Sequence, residues 1–124
     1  MASDFILFPT NGTTLSPQAQ ADLSRFAVNL EQNPGTNVQV YGFTDNTGSL
    51  EVNQRVSTGR ADAVLRYLVN SGVSPTRVTA QGIPMADYVA SNETAAGRAQ
   101  NRRVEIYITA SPEMVQQAEA GTLK

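Results

Sequence analysis

Apolar positions along this chain follow two periods, and the changes between them mark its elements. Phe5-Ile6-Leu7-Phe8 is a strand-sized apolar run, stopped by Pro9 and the Asn11-Gly12 pair. Ser16 then reads as an N-cap with Pro17 at the first helical position. Leu23, Phe26, Ala27 and Leu30 follow at the i, i+3, i+4, i+7 spacing of an amphipathic helix, which Asn33-Pro34-Gly35 ends. Val38 to Phe43 is a second strand that runs into a polar turn, Thr44-Asp45-Asn46-Thr47-Gly48-Ser49, rich in side chains that bond to backbone. A second helix is predicted over about 50–70, with Ala61, Val64, Leu65 and Leu68 as its buried stripe and Gly72 as a left-handed cap. Arg77 to Ile83 reads as a third strand and 84–97 as a long polar loop. Val104, Ile106 and Ile108 alternate with Arg103, Glu105 and Tyr107 in a fourth strand. Ser111-Pro112-Glu113 opens a short helical tail.

The order β-α-β-α-β-β predicts an α+β fold, a two-layer sandwich of a mixed four-stranded sheet with both long helices on one face. One domain over 1–124 is expected, with its core at about 5–110 and the tail at 111–124.

Composition narrows the possible chemistry. The chain has 124 residues, a net charge of -2, and neither Cys nor His. Cys/His zinc sites and Cys or His nucleophilic mechanisms are excluded, and no cofactor is expected. A nucleic-acid partner is not expected either, because a phosphate backbone calls for a surplus of Lys and Arg. No apolar run is long enough to cross a bilayer, and the Phe5 run lacks the flanks of a signal peptide. Any membrane link is therefore expected through an anchor or barrel outside this sequence.

Two positions on the second helix carry candidate chemistry. At about 100° per residue, Arg60 lies roughly 90° from the centre of the buried stripe, on its border. Asn53, seven residues earlier, falls within about 20° of it. The helix follows directly on the turn that carries Asp45. A guanidinium fork that holds a carboxylate and a carboxylate that accepts from an ammonium together suit an amino acid presenting both groups on one carbon. The residues alone are equally served by a salt bridge between Asp45 and Arg60, or by Asp45 capping its turn. Paired carboxylates such as Asp45 and Glu51 could serve acid/base chemistry on a glycan, but nothing in their spacing favours it.

The run Gly42-Phe43-Thr44-Asp45-Asn46-Thr47-Gly48, with Asn53, Val56-Ser57 and Arg60-Ala61, resembles the signature of OmpA-like C-terminal domains. Gly97-Arg98-Ala99-Gln100-Asn101-Arg102-Arg103-Val104-Glu105 resembles that family's second signature. The family includes peptidoglycan-associated lipoproteins and flagellar stator subunits. The resemblance implies a non-enzymatic domain that binds the peptidoglycan stem peptide through diaminopimelate, on the periplasmic side of an outer membrane. It implies Asp45 and Arg60 as the ligand residues, with Asn53, Thr44, Arg102 and Arg103 around them. Phe43 departs from the family's usual His and removes a polar, titratable contact. Arg102, on the face of Val104 by alternation, and Arg103 remain open between one of them reaching the ligand or the glycan and both pinning the long loop and pairing with acidic neighbours such as Glu105. Tyr67 and Phe26 read as packing residues. An interaction or oligomerisation module, using the tail around Met114 and Val115, is the competing reading. Arg60 on the border of its stripe also implies that Arg60→Ala removes binding and leaves thermal stability nearly intact.

Overall fold

The computed structural model describes residues 2–110, with side chains from Ile6 onward. The expected tail lies outside the described residues. The elements run β1 (Ala2–Leu7), α1 (Pro17–Gln32), β2 (Thr36–Phe43), α2 (Leu50–Asn70), β3 (Val78–Ile83), α3 (Ala95–Asn101) and β4 (Arg103–Ala110). The sheet order is β1-β4-β2-β3, with β2 and β3 parallel and β4 antiparallel to both of its neighbours. The fold is the α+β mixed sheet that the pattern predicts.

The helices start where the caps require. Ser16 Oγ accepts from the Ala19 amide and Ser49 Oγ from the Val52 amide. Each satisfies one of the free amides of a first turn, worth about 1 kcal/mol. The long helices bury Leu23, Phe26, Ala27 and Leu30 from α1, and Val64 and Leu68 from α2, against Val38, Val40, Val104 and Ile106 of the sheet. Leu65 is only partly buried at the edge of this core. Tyr67 bridges the helices, its hydroxyl 2.7 Å from Ser24 Oγ.

Three elements depart from the expected pattern. The third strand begins one residue later, because Pro75–Arg77 form a 3-10 turn. Arg77 there donates to the carbonyls of Leu30, Asn33 and Thr36, tying the end of α1 to β2. The loop expected over 84–97 is shorter, since α3 begins at Ala95 with Thr94 as its cap. Arg102 is the C-cap of α3 rather than a strand residue, so the alternation that put it beside Val104 does not reach it.

Because β1, β2 and β3 run in one direction, their carboxyl ends share one edge of the sheet with the start of β4. Ligands of open α/β sheets bind at such an edge. Gly42 and Gly82 face each other across β2 and β3 near this edge. A Cβ on Gly42 would lie 2.1 Å from the Ser57 carbonyl oxygen, and one on Gly82 would lie 2.6 Å from Ser57 Oγ. The two glycines therefore let α2 lie directly on the strands.

Candidate functional site

The turn after β2 builds the acidic half of the site. Asp45 Oδ1 accepts from the Thr47 amide at 2.8 Å, closing an Asx-type turn. Asn53, from the first turns of α2, donates to the carbonyls of Thr47 at 2.7 Å and Ser49 at 2.9 Å. Thr44 donates to the Asp45 carbonyl and accepts from the Met85 amide, joining the turn to the segment after β3. Thr44, Asp45 and Asn53 are all buried. Asn53 and Thr44 thus hold the backbone that carries Asp45.

Arg60 supplies the basic half and is only 1% exposed. Its Nε donates to the Gly12 carbonyl at 2.8 Å, Nη1 to Phe43 at 2.9 Å and Nη2 to Pro9 at 2.9 Å. Its guanidinium lies 5.4 Å from the centre of the Phe8 ring. These bonds use three of the five N–H donors of the fork. A residue expected on the border of the stripe is therefore buried between the loops that follow β1 and β2. This corrects the expectation that Arg60→Ala would leave stability nearly intact: the truncation strands three backbone acceptors and opens a cavity.

Asp45 pairs with Arg102 rather than with Arg60. Arg102 Nη1 lies 2.9 Å from Asp45 Oδ2, and Arg102 Nε donates to the Phe8 carbonyl at 3.0 Å. Arg103, the next residue, turns to the opposite face of the sheet. There it pairs with Glu105 at 2.6 Å, donates to the Asp87 carbonyl and sits 3.8 Å over the centre of the Phe43 ring. The two arginines thus separate, Arg102 to Asp45 and Arg103 to Glu105. Phe43 shares the outer face with Tyr41, as its position in the strand requires, and its ring supports Arg103.

The electrostatics of the cluster are uneven. Burial works to raise the Asp45 carboxyl, but the Thr47 amide and the Arg102 guanidinium outweigh it and hold the carboxyl below its ordinary value of 3.8. Burial first, then the nearby Arg102 charge, pushes Arg60 down to about 10, and Asp45 works against that shift. At neutral pH the cluster holds two cations and one anion. Asp45 accepts from the Thr47 amide and from Arg102, and the Thr47 hydroxyl adds to the lowering of its pKa, which leaves part of its roughly four acceptor positions open.

A carboxyl with a depressed pKa stabilises the fold above its unfolded pKa, and that contribution is lost as pH falls through the folded value. Melting temperatures measured between about pH 5 and pH 2 should therefore fall more steeply for the wild-type chain than for Asp45→Asn. Parallel curves would show that Asp45 is not held as an ion.

Asn101 is the residue that the sequence pattern did not single out. It is fully buried, accepts from the amides of Val89 and Ala90, and donates to the Ala90 carbonyl and to Asn92. It pins the segment between β3 and α3. Gly97 lets α3 approach that segment, since a Cβ there would lie 1.9 Å from the Ser91 carbonyl oxygen.

The family model for OmpA matches residues 7–102. The chain belongs to the OmpA family. The matched span takes in Thr44, Asp45, Asn53, Arg60 and Arg102 and stops short of Arg103. This OmpA-family chain is 44% identical over 104 residues to the probable lipoprotein YiaD of Escherichia coli, covering 84% of this chain and 48% of YiaD. It is 41% identical over 103 residues to the peptidoglycan-binding protein ArfA of Mycobacterium tuberculosis, covering 83% of this chain and 32% of ArfA. The chain thus spans half or less of these relatives. The crystal structure of the peptidoglycan-associated lipoprotein from Burkholderia pseudomallei matches this fold with a TM-score of 0.83 at 29% identity, over 86% of this chain and 91% of that one.

Proposed function

We propose that this domain binds peptidoglycan non-covalently through the diaminopimelate of its stem peptide. It thereby anchors an envelope protein to the wall on the periplasmic side of an outer membrane. The observation that carries this reading is the cluster of buried Arg60, buried Asp45 and half-buried Arg102 at the carboxyl edge of the strands.

A cluster with one cation too many favours an incoming anion, and Arg60 retains two N–H donors to meet it. A ligand carboxylate at Arg60 offsets the charge that burial otherwise penalises. An ammonium on the same carbon then turns to the open acceptor positions of Asp45. Diaminopimelate ends its side chain in that pair of groups. Thr44 and Asn53 serve by fixing the Asp45 turn, and Arg102 keeps the carboxylate ionised and oriented. A wall-binding relative at 41% identity supports the ligand class. Chemistry on the ligand is not part of this reading, because Asp45 is held as an ion by the Thr47 amide and by Arg102, and Glu51 stands exposed in the first turn of α2.

The test is sedimentation with purified sacculi. Asp45→Asn keeps the acceptor for Thr47 and loses the charge, so its affinity for diaminopimelate-type sacculi should fall about 10- to 100-fold, the worth of one charge-assisted bond. Sacculi with lysine at the third stem position lack the side-chain carboxylate and should bind comparably weakly. Equal binding of both wall types, or of variant and wild type, would refute the proposal.

A further inference from the structure

The outer face of the sheet carries a concavity, separate from the Asp45 cluster. It has a volume of about 530 Å³, and Gln39, Tyr41, Phe43, Arg103, Glu105 and Tyr107 are among its lining residues. That volume falls within the roughly 300–1,000 Å³ of small-ligand pockets.

Its charges are already matched. Arg103 is 2% exposed, and each of its three nitrogens has an acceptor: Glu105, Asn101 and Asp87. Glu105 also accepts from the Tyr107 hydroxyl at 2.6 Å, and that bond leads the causes that raise the Tyr107 pKa. Asp87 brings a further carboxylate to the rim. With no uncommitted cation in its lining, the groove disfavours anionic ligands. Gln39 Oε1 accepts from the Tyr41 hydroxyl at 2.9 Å, and the acceptor positions that Gln39 and the carboxylates keep beyond these bonds suit hydroxyl donors. Tyr41 and Tyr107 are half-buried, their ring centres 5.7 Å apart and their planes at 72°. Aromatic rings with polar tips beside acceptor groups suit a neutral ligand with both apolar faces and hydroxyl edges.

We infer that this groove is a glycan subsite that receives the sugar backbone of the strand whose stem peptide occupies the Asp45 cluster. The inference rests on the wall-binding reading and adds a second point of contact to it. The two sites are continuous through the chain. Arg102 faces one and Arg103 the other, and Phe43 lies two residues, about 7 Å, before Asp45. Diaminopimelate stands third in the stem, so two residues and a lactyl link separate it from the sugar, on the order of 10 Å when extended. That reach takes the glycan from the strand edge onto the outer face. Arg103 acts here as a positioning residue, holding Glu105 and the base of the groove.

The β-1,4-linked tetramer of N-acetylglucosamine, which carries no peptide, is the probe. NMR titration of the wild-type domain should shift the amides around Gln39, Tyr41, Glu105 and Tyr107, leave those around Thr47 in place, and give a Kd on the order of 1 mM. Tyr41→Ser combined with Tyr107→Ser should abolish those shifts and weaken binding to sacculi about five- to tenfold, with the response to free diaminopimelate unchanged. Asp45→Asn should do the reverse, weakening the diaminopimelate response and sparing that to the tetramer. Failure of the stem reading therefore appears in the amino-acid titration, and failure of the glycan subsite in the sugar titration. A tetramer that shifts no amide on this face overturns the inference. So does a concentration-dependent dimer, seen by light scattering without sugar, that closes over Tyr41 and Tyr107.

Discussion

Arg60→Ala should lower the stability of the domain by about 3–5 kcal/mol and abolish wall binding together with it. The side chain is enclosed, and its three nitrogens hold the carbonyls of Pro9, Gly12 and Phe43. Truncation leaves those three acceptors without their partners. For a domain of this size the melting temperature should fall on the order of 10–20 °C. Arg60→Lys is the informative companion. It keeps the charge, but one ammonium cannot span three carbonyls set around a planar fork, so it should recover only part of the lost stability. A melting temperature within about 2 °C of wild type for Arg60→Ala would show that the side chain is not the clamp described here.

Gly42→Ala should be comparably damaging. The added Cβ would meet the Ser57 carbonyl oxygen at 2.1 Å and the Ala61 amide nitrogen at 3.0 Å, and both belong to the backbone of α2. No rotamer change relieves a clash between backbones, so the helix must move away from β2. Overpacking of this kind costs about 3 kcal/mol or more. Because α2 also carries Asn53 and Arg60, its displacement pulls the site apart. Chemical denaturation should show a lower midpoint. Binding to sacculi should weaken even at temperatures where the variant is fully folded. A variant that melts lower and still binds like wild type would mean that the position of α2 does not set the site.

Much of this architecture is legible in the pattern of residues. Ser16 marks the start of the first helix, the polar turn that ends at Ser49 marks the start of the second, and Gly72 in the left-handed region ends it. The period-two alternation of Val38, Val40, Val104 and Ile106 assigns the covered face of the sheet. The short helix α3 is not legible in this way. Its seven residues, Ala-Ala-Gly-Arg-Ala-Gln-Asn, carry no apolar period and include a glycine that weakens helix propensity. Its one local signal is Thr94, whose side chain accepts from the Gly97 amide.

The site shows the same division. Asp45 and Arg60 stand out by residue type and position, but their partners do not, because the partners are distant in the chain. Arg60 reaches carbonyls 17 to 51 residues away, and Arg102 reaches Asp45 57 residues back. Helical angles place a side chain on a face, whereas its burial depends on which loops fold over that face. Asn101 was missed for a related reason. Its amide bonds a loop 9 to 12 residues earlier, a distance at which no periodic pattern operates.

Titration of the wild-type domain with free diaminopimelate, followed by amide shifts in NMR, examines the site with no wall present. Saturable shifts are expected at Phe43, Thr44, Asp45, Thr47 and Gly12, the residues whose backbones meet Asp45 or Arg60. Nα-acetyl-lysine amide, whose side chain ends in an ammonium with no carboxylate beside it, should give no comparable response at the same concentration. Identical shifts with this blocked lysine, or diaminopimelate shifts that bypass these residues altogether, would overturn the assignment of the site.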